Sequence, residues 1–94
     1  MSNLVLTRKA GQSVRLMIGG EPVFLDMEAV CGGFCKILLS SPVRIERLRF
    51  RDSMQIAEGV TVTVLDLAKG HAKLNFTAPR EVAILRTELI KDEI

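Results

Sequence analysis

The chain has no tryptophan and no tyrosine, and four phenylalanines are its only aromatic residues. A binding surface that rests on a broad aromatic stacking platform is thereby excluded. There are two cysteines, Cys31 and Cys35, too few for a disulfide-stapled secreted domain. Together with the lone histidine, His71, they fall short of the four ligands of a structural zinc site, unless two chains share one, so no metal site is expected. The two thiols flank Gly32-Gly33-Phe34 and read as reduced residues beside a tight turn. No apolar run approaches the roughly 20 residues of a membrane span. The N-terminus lacks the basic-then-apolar pattern of a signal peptide, so a cytoplasmic protein with no membrane partner is expected. No glycine-rich phosphate loop precedes a helix, no Ser–His pairing is visible and no metal-ligand cluster exists, so neither an enzyme nor a cofactor is expected.

What remains is an ordinary folded composition. The chain has 94 residues, 48% hydrophobic and 26% charged, which is one domain with a modest core. Its net charge of +2 permits an anionic partner without demanding one. Short alternating segments separated by turn residues predict an all-β chain. Residues 4–9, 14–18, 23–30, 35–39 and 43–50 read as strands, broken at Gly11, Gly19-Gly20, Gly32-Gly33 and Ser40-Ser41-Pro42. Val60-Thr61-Val62-Thr63-Val64 is the cleanest strand, with valines inward and threonines outward. Lys69-Gly70-His71 turns the chain into residues 73–77, and Ala78-Pro79 breaks it again. Residues 87–94 have helical composition with Thr87 as N-cap, giving a short C-terminal helix that needs docking to persist.

An internal repeat runs through this pattern. Sliding the chain by 37 residues pairs Met17 with Met54, Glu21 with Glu58, Gly33 with Gly70, Pro42 with Pro79 and Arg49 with Arg86, with no gap. The turn glycine, the strand-breaking proline and the strand-ending arginine coincide in register. Residues 16–50 are therefore read as a degenerate copy of a unit whose better copy is 53–90, the two sharing the first strand 4–9 within one domain, 1–94. On this reading residues 43–50 are the last strand of the first copy. The competing reading makes residues 16–52 an insertion in a chain that still pairs with a second one.

The stretch Ala78-Pro79-Arg80-Glu81-Val82-Ala83-Ile84-Leu85-Arg86 is read as a strand with Arg80, Val82, Ile84 and Arg86 on one face. Pro79, which cannot donate to a ladder, starts it. By pattern alone this is a half-exposed strand with charged ends. The same residues resemble the last strand of the CsrA/RsmA family of small bacterial mRNA-binding regulators, the carbon storage regulators. Leu4-Val5-Leu6-Thr7-Arg8-Lys9-Ala10-Gly11 resembles that family's first strand, and residues 56–65 with Lys69-Gly70 resemble its second strand and the turn that follows. The resemblance implies an intertwined β fold and RNA sites that join the first strand of one protomer to the last strand of the other. For this chain it implies a monomeric pseudo-dimer with one complete site. It also implies that Leu6, Thr7, Arg8, Lys9, Ala78, Pro79, Arg80, Val82 and Arg86 contact RNA, and that the bound sequence is GGA in a single strand or hairpin loop near a ribosome-binding site. The partners would be messenger RNA and GGA-bearing regulatory small RNA.

The residue types suit that chemistry. Arg8, Lys9, Arg80 and Arg86 supply cations, strand edges supply groups that read base edges, and Leu6, Ala78 and Val82 supply apolar contact. Leu85 stands where most relatives carry His, which removes a polar partner. Arg44, Arg47, Arg49 and Arg51 form a further basic run, read first as a solvated edge strand and second as a phosphate surface. A second function stays open: a paralogue that binds another protein, pairing with or antagonising an ordinary family member.

Overall fold

The computed structural model describes residues 2–68 and 70–87. Among the described residues nine strands follow in chain order: β1 (Ser2–Lys9), β2 (Ser13–Ile18), β3 (Glu21–Cys31), β4 (Phe34–Ser40), β5 (Val43–Leu48), β6 (Ser53–Ala57), β7 (Val60–Ala68), β8 (His71–Ala78) and β9 (Ala83–Arg86). They form two antiparallel sheets, one ordered β1-β8-β7-β6 and the other β5-β4-β3-β2-β9. The all-β expectation holds. The C-terminal helix expected over residues 87–94 lies, beyond Thr87, outside the described residues.

The sheets form because the alternation gives each strand one apolar face to bury. Val14, Leu16, Leu25, Met27, Ile37 and Leu39 point inward from one sheet, and Val60, Val62, Val64, Leu74 and Phe76 from the other. Each is at most 1% exposed. The core is almost wholly aliphatic, as a chain poor in aromatics requires. Cys35 is buried within it and Cys31 is exposed, and both are free thiols. Burial pushes the Cys35 thiol above its ordinary range.

The chain changes sheet at residues 10–12, 49–52 and 79–82. The first two changes are built alike. Gly11 N donates to Met27 O at 2.7 Å and Met27 N to Gln12 O at 2.9 Å. Arg51 N donates to Val64 O at 2.8 Å and Val64 N to Asp52 O at 2.9 Å. A side chain closes each turn, with Lys9 N donating to Gln12 Oε1 at 2.9 Å and Arg49 N to Asp52 Oδ2 at 2.8 Å. The ladders of β3 and β7 are also interrupted at matching places, Met27/Ala29 and Val64/Asp66.

The 37-residue offset thus holds from β3 onward and changes before it. Val14 pairs Leu25 while Met54 pairs Val62, so Val14, not Met17, is the counterpart of Met54. The cause is the longer β2–β3 hairpin, which closes at Ile18↔Glu21 around Gly19-Gly20, whereas β6–β7 closes at Ala57↔Val60. The pairings of Met17 with Met54 and of Glu21 with Glu58 therefore do not survive in space.

The place of β5 also differs from expectation. It lies beside β4, as β1 lies beside β8, and β9 lies beside β2. Residues 43–48 thus occupy a first-strand position, not a last-strand one. Alternation alone could not separate these, since both are edge positions with one inward face. Among the described residues no strand lies on the outer edge of β6. There Arg44 reaches across and its Nη2 donates to Gln55 O at 2.6 Å.

Candidate functional site

β1 and β9 are the edge strands of different sheets, lie on the same side of the sandwich and run in the same direction. Ala78 pairs with Ser2 at the start of β1, so the turn at residues 79–82 leads into β9 from that end. At the other end both strands reach Ser13. Arg8 Nη1 donates to Ser13 O at 3.2 Å, and Thr87 Oγ1 donates to the same oxygen at 3.1 Å. One carbonyl therefore ties the end of the first strand to the end of the last. Leu6, Val82 and Ile84 are half-buried and pack on the core between the two edges.

The turn at residues 79–82 is closed by Val82 N donating to Pro79 O at 3.1 Å. β9 accordingly begins at Ala83, and Arg80 and Glu81 sit in the turn rather than on the strand. Arg80 and Arg86 therefore do not share a sheet face as the period-two reading had it. Pro79 sets this turn because its fixed φ and missing N–H suit the chain where it leaves one sheet for the other.

The structure sorts the sequence-derived residues by exposure. Thr7, Lys9, Arg80 and Arg86 are exposed, while Pro79, Leu6 and Val82 are half-buried. Ala78 is fully buried. Arg8 is 2% exposed, and its Nε also donates to Thr7 O at 2.8 Å. Its guanidinium is thus engaged with the protein's own carbonyls, and it fixes the β1–β2 turn against β9.

Sequence reading missed three contributors. Ser13 and Thr87 join the strands through groups that no motif marks. The outer face of the first sheet adds a cavity of about 230 Å³ lined by Thr7, Asp66, Ala68, His71 and Lys73. Lys73 lies directly across the ladder from Thr7 and His71 from Lys9, so register, had it been known, would have placed them beside the first strand. Leu85 lies opposite Arg15 on the outer face of the second sheet. Among the described residues no group of three or more His, Cys, Asp or Glu could hold a metal ion, and no helix is long and apolar enough to cross a membrane.

The fold is a two-sheet β protein whose first and last strands, edge strands of different sheets, are tied at one end through a single carbonyl, with exposed cations on both. Its family is shown by direct comparison. The model of the CsrA global regulator protein family matches residues 45–93, and the chain belongs to that family. The match begins within β5 and extends past β9. The chain is 39% identical over 41 residues to the translational regulator CsrA of Clostridium novyi (strain NT), covering 44% of this chain and 57% of that protein. It is 47% identical over 38 residues to that of Clostridium botulinum (strain Alaska E43 / Type E3), covering 40% and 54%. It is 42% identical over 45 residues to that of Campylobacter jejuni subsp. jejuni serotype O:6, covering 45% and 60%. The chain spans little more than half the length of the curated relatives it matches. These relatives are translational regulators, a non-enzymatic role. No solved structure matches the chain.

Proposed function

We propose that the chain is a cytoplasmic, RNA-binding post-transcriptional regulator with one asymmetric site along the β1 and β9 edges. Its targets are GGA motifs in single strands or hairpin loops of messenger RNA near ribosome-binding sites, and in regulatory small RNA. Binding there modulates translation or message stability. The observation that carries this reading is the convergence of the two strands on Ser13 O, with Thr7, Lys9 and Arg86 exposed toward that end and Arg80 exposed in the turn at the other. The relatives' role as translational regulators supports it. Two fixed strand edges offer N–H and C=O groups at set positions, which read purine edges without aromatic stacking. Lys9, Arg80 and Arg86 bind phosphate, and Arg8 holds the frame.

The copies are best drawn as β1–β4 and β5–β9, fused in a single-chain pseudo-dimer. The matching turns, the matching ladder interruptions and the first residue of the family match support this division. β1 is tied to the end of β9 through Ser13 O, whereas among the described residues β5 has no such last strand, so one site is complete. Titration calorimetry with a hairpin bearing one GGA and with an RNA bearing two tests the reading. One hairpin bound per chain is expected, with affinity nearly unchanged by the second motif, since linked binding needs two competent sites. Loss of binding on changing GGA to CCU is expected as well. Two hairpins bound with similar affinity would refute the single site. A chain that binds none would favour the protein-binding paralogue, for which the strand-free edge of β6 is the specific observation.

A further inference from the structure

We infer that the β4–β5 end carries a second nucleic-acid surface of different chemistry, which grips unpaired polynucleotide by arginine and phenylalanine without reading its sequence. The inference rests on the RNA-regulator reading only for the choice of polymer. Lys36 and Arg47 lie directly opposite each other in the β4–β5 ladder, on the outer face. Like charges placed so repel, and a bound anion relieves the repulsion. Among the described residues no carboxylate pairs with the side chain of Lys36, Arg47, Arg49 or Arg51. The Arg47 guanidinium lies over the Phe34 ring, 5.5 Å from its centroid. In the turn that follows, Arg51 lies over the Phe50 ring at 5.1 Å, and Phe50 is 54% exposed.

The backbone adds an independent sign. Arg51 has φ 71°, and at the matching turn Gly11 has φ 89°. The two residues make the same hydrogen bonds. Glycine takes this left-handed conformation freely and an L side chain does not, so the turn is strained in order to carry a guanidinium. The matched positions run the same way. Arg47 stands where β1 has Thr7, Arg49 where it has Lys9, Phe50 where it has Ala10, and Phe34 where β8 has His71. The half that lacks a last strand therefore has more guanidinium and more ring, not less. An exposed ring such as Phe50, with planar cations beside it, stacks any base and binds any phosphate, and the half-buried Phe34 ring holds Arg47 in place. The surface lies on the β5–β6 side of the sandwich, away from the β1–β9 edges, so it holds the flank of a transcript whose GGA is bound there.

Fluorescence anisotropy with two probes separates the sites: decauridine, which lacks GGA, and a short GGA hairpin. Salt-dependent binding of decauridine is expected. The double variant Arg47→Ala, Arg51→Ala is expected to weaken it by about tenfold while leaving hairpin affinity within about twofold, because two phosphate contacts are removed. Phe50→Leu, at an exposed position, is expected to weaken decauridine by about fivefold or more without changing the salt slope, since stacking releases no counterions. Arg86→Ala is expected to do the reverse, sparing decauridine and weakening the hairpin. No decauridine binding at about 50 mM salt, or equal binding by parent and double variant, overturns the second surface. Decauridine bound through Arg47 and Arg51 with no hairpin bound keeps this surface and overturns the motif reading alone.

Discussion

Arg8 is the residue whose role differs most between sequence and structure, and replacing it by leucine decides which is right. At the matching position of β5 stands Leu48, which is 4% exposed. The fold therefore already accommodates leucine in one of two equivalent places. Arg8→Leu removes the bonds to Thr7 O and Ser13 O, and bonds from a charged donor are worth about 1.5–3 kcal/mol each. It also removes the cost of burying the charge, several kcal/mol per ion by order of magnitude, and adds apolar burial of about 1.5–3 kcal/mol. Ser13 O keeps Thr87 as a donor. The terms nearly cancel, and the net change is expected to stay within about 1.5 kcal/mol. Arg8→Ala leaves a cavity instead and is expected to cost about 2–4 kcal/mol. Urea unfolding with unchanged m-values reads both. RNA binding then separates a framing residue from a phosphate grip. Removing one phosphate contact lowers the slope of log K against log salt by about 0.7 for a single strand. Arg8→Leu is expected to weaken hairpin binding with the slope unchanged. A slope lowered by one contact would refute the framing role and restore Arg8 to the surface chemistry.

Other outcomes follow from the same geometry. Arg86→Ala is expected to weaken GGA-hairpin binding by about 1.5–3 kcal/mol, while Arg49→Ala, which has no last strand beside it, changes it little; equal losses in an anisotropy titration would count against the asymmetric site. Light scattering is expected to give one chain of 10.4 kDa, and an obligate dimer that separates only on unfolding would sink the fused reading. Iodoacetamide followed by mass spectrometry is expected to label exposed Cys31 quickly and buried Cys35 only on unfolding. Because burial raises the Cys35 thiol, the stability tied to its neutral form is full below the ordinary thiol value and is lost as pH rises through the raised one, so Cys35→Ala should approach the parent's stability in alkali.

Much of the fold was legible because punctuation was strong. Gly11, Gly19-Gly20, Gly33 and Gly70 all take positive φ at turns, where glycine is the residue that accepts it. The valine–threonine alternation of β7 could be nothing but a half-buried strand. The place of β5 was not legible, because Arg44, Glu46 and Leu48 point inward just as a last strand would place them. Only its partner β4 distinguishes the two, and pairing is not local information. The same holds for Arg8. An arginine beside a lysine at a strand end looks solvent-exposed, yet the period of two puts it on the face of Leu4 and Leu6, whose ladder partners Phe76 and Leu74 are buried. That alternation was in the sequence, and the charge of the side chain masked it.

The asymmetry of the two ends has a physical cost that the structure meets locally. A strand edge without a partner presents N–H and C=O groups that invite another chain. β2 is protected because β9 covers it from Met17↔Ala83 to Val14↔Arg86. Among the described residues β6 lacks that cover, and it has three other devices. It is only five residues long, its ladder is interrupted between Gln55 and Ala57, and Arg44 fills the hydrogen-bonding capacity of Gln55 O while lying 3.8 Å from Glu46 Oε2. Inward charge at an edge is costly to desolvate against an incoming strand, so it opposes pairing with a second copy. The basic character of β5 thus has two parts. Arg44, facing inward, guards an edge, whereas Arg47 faces outward over Phe34. An arginine run read along the sequence as one solvated strand is, by the alternation of its side chains, two sets of cations with different work.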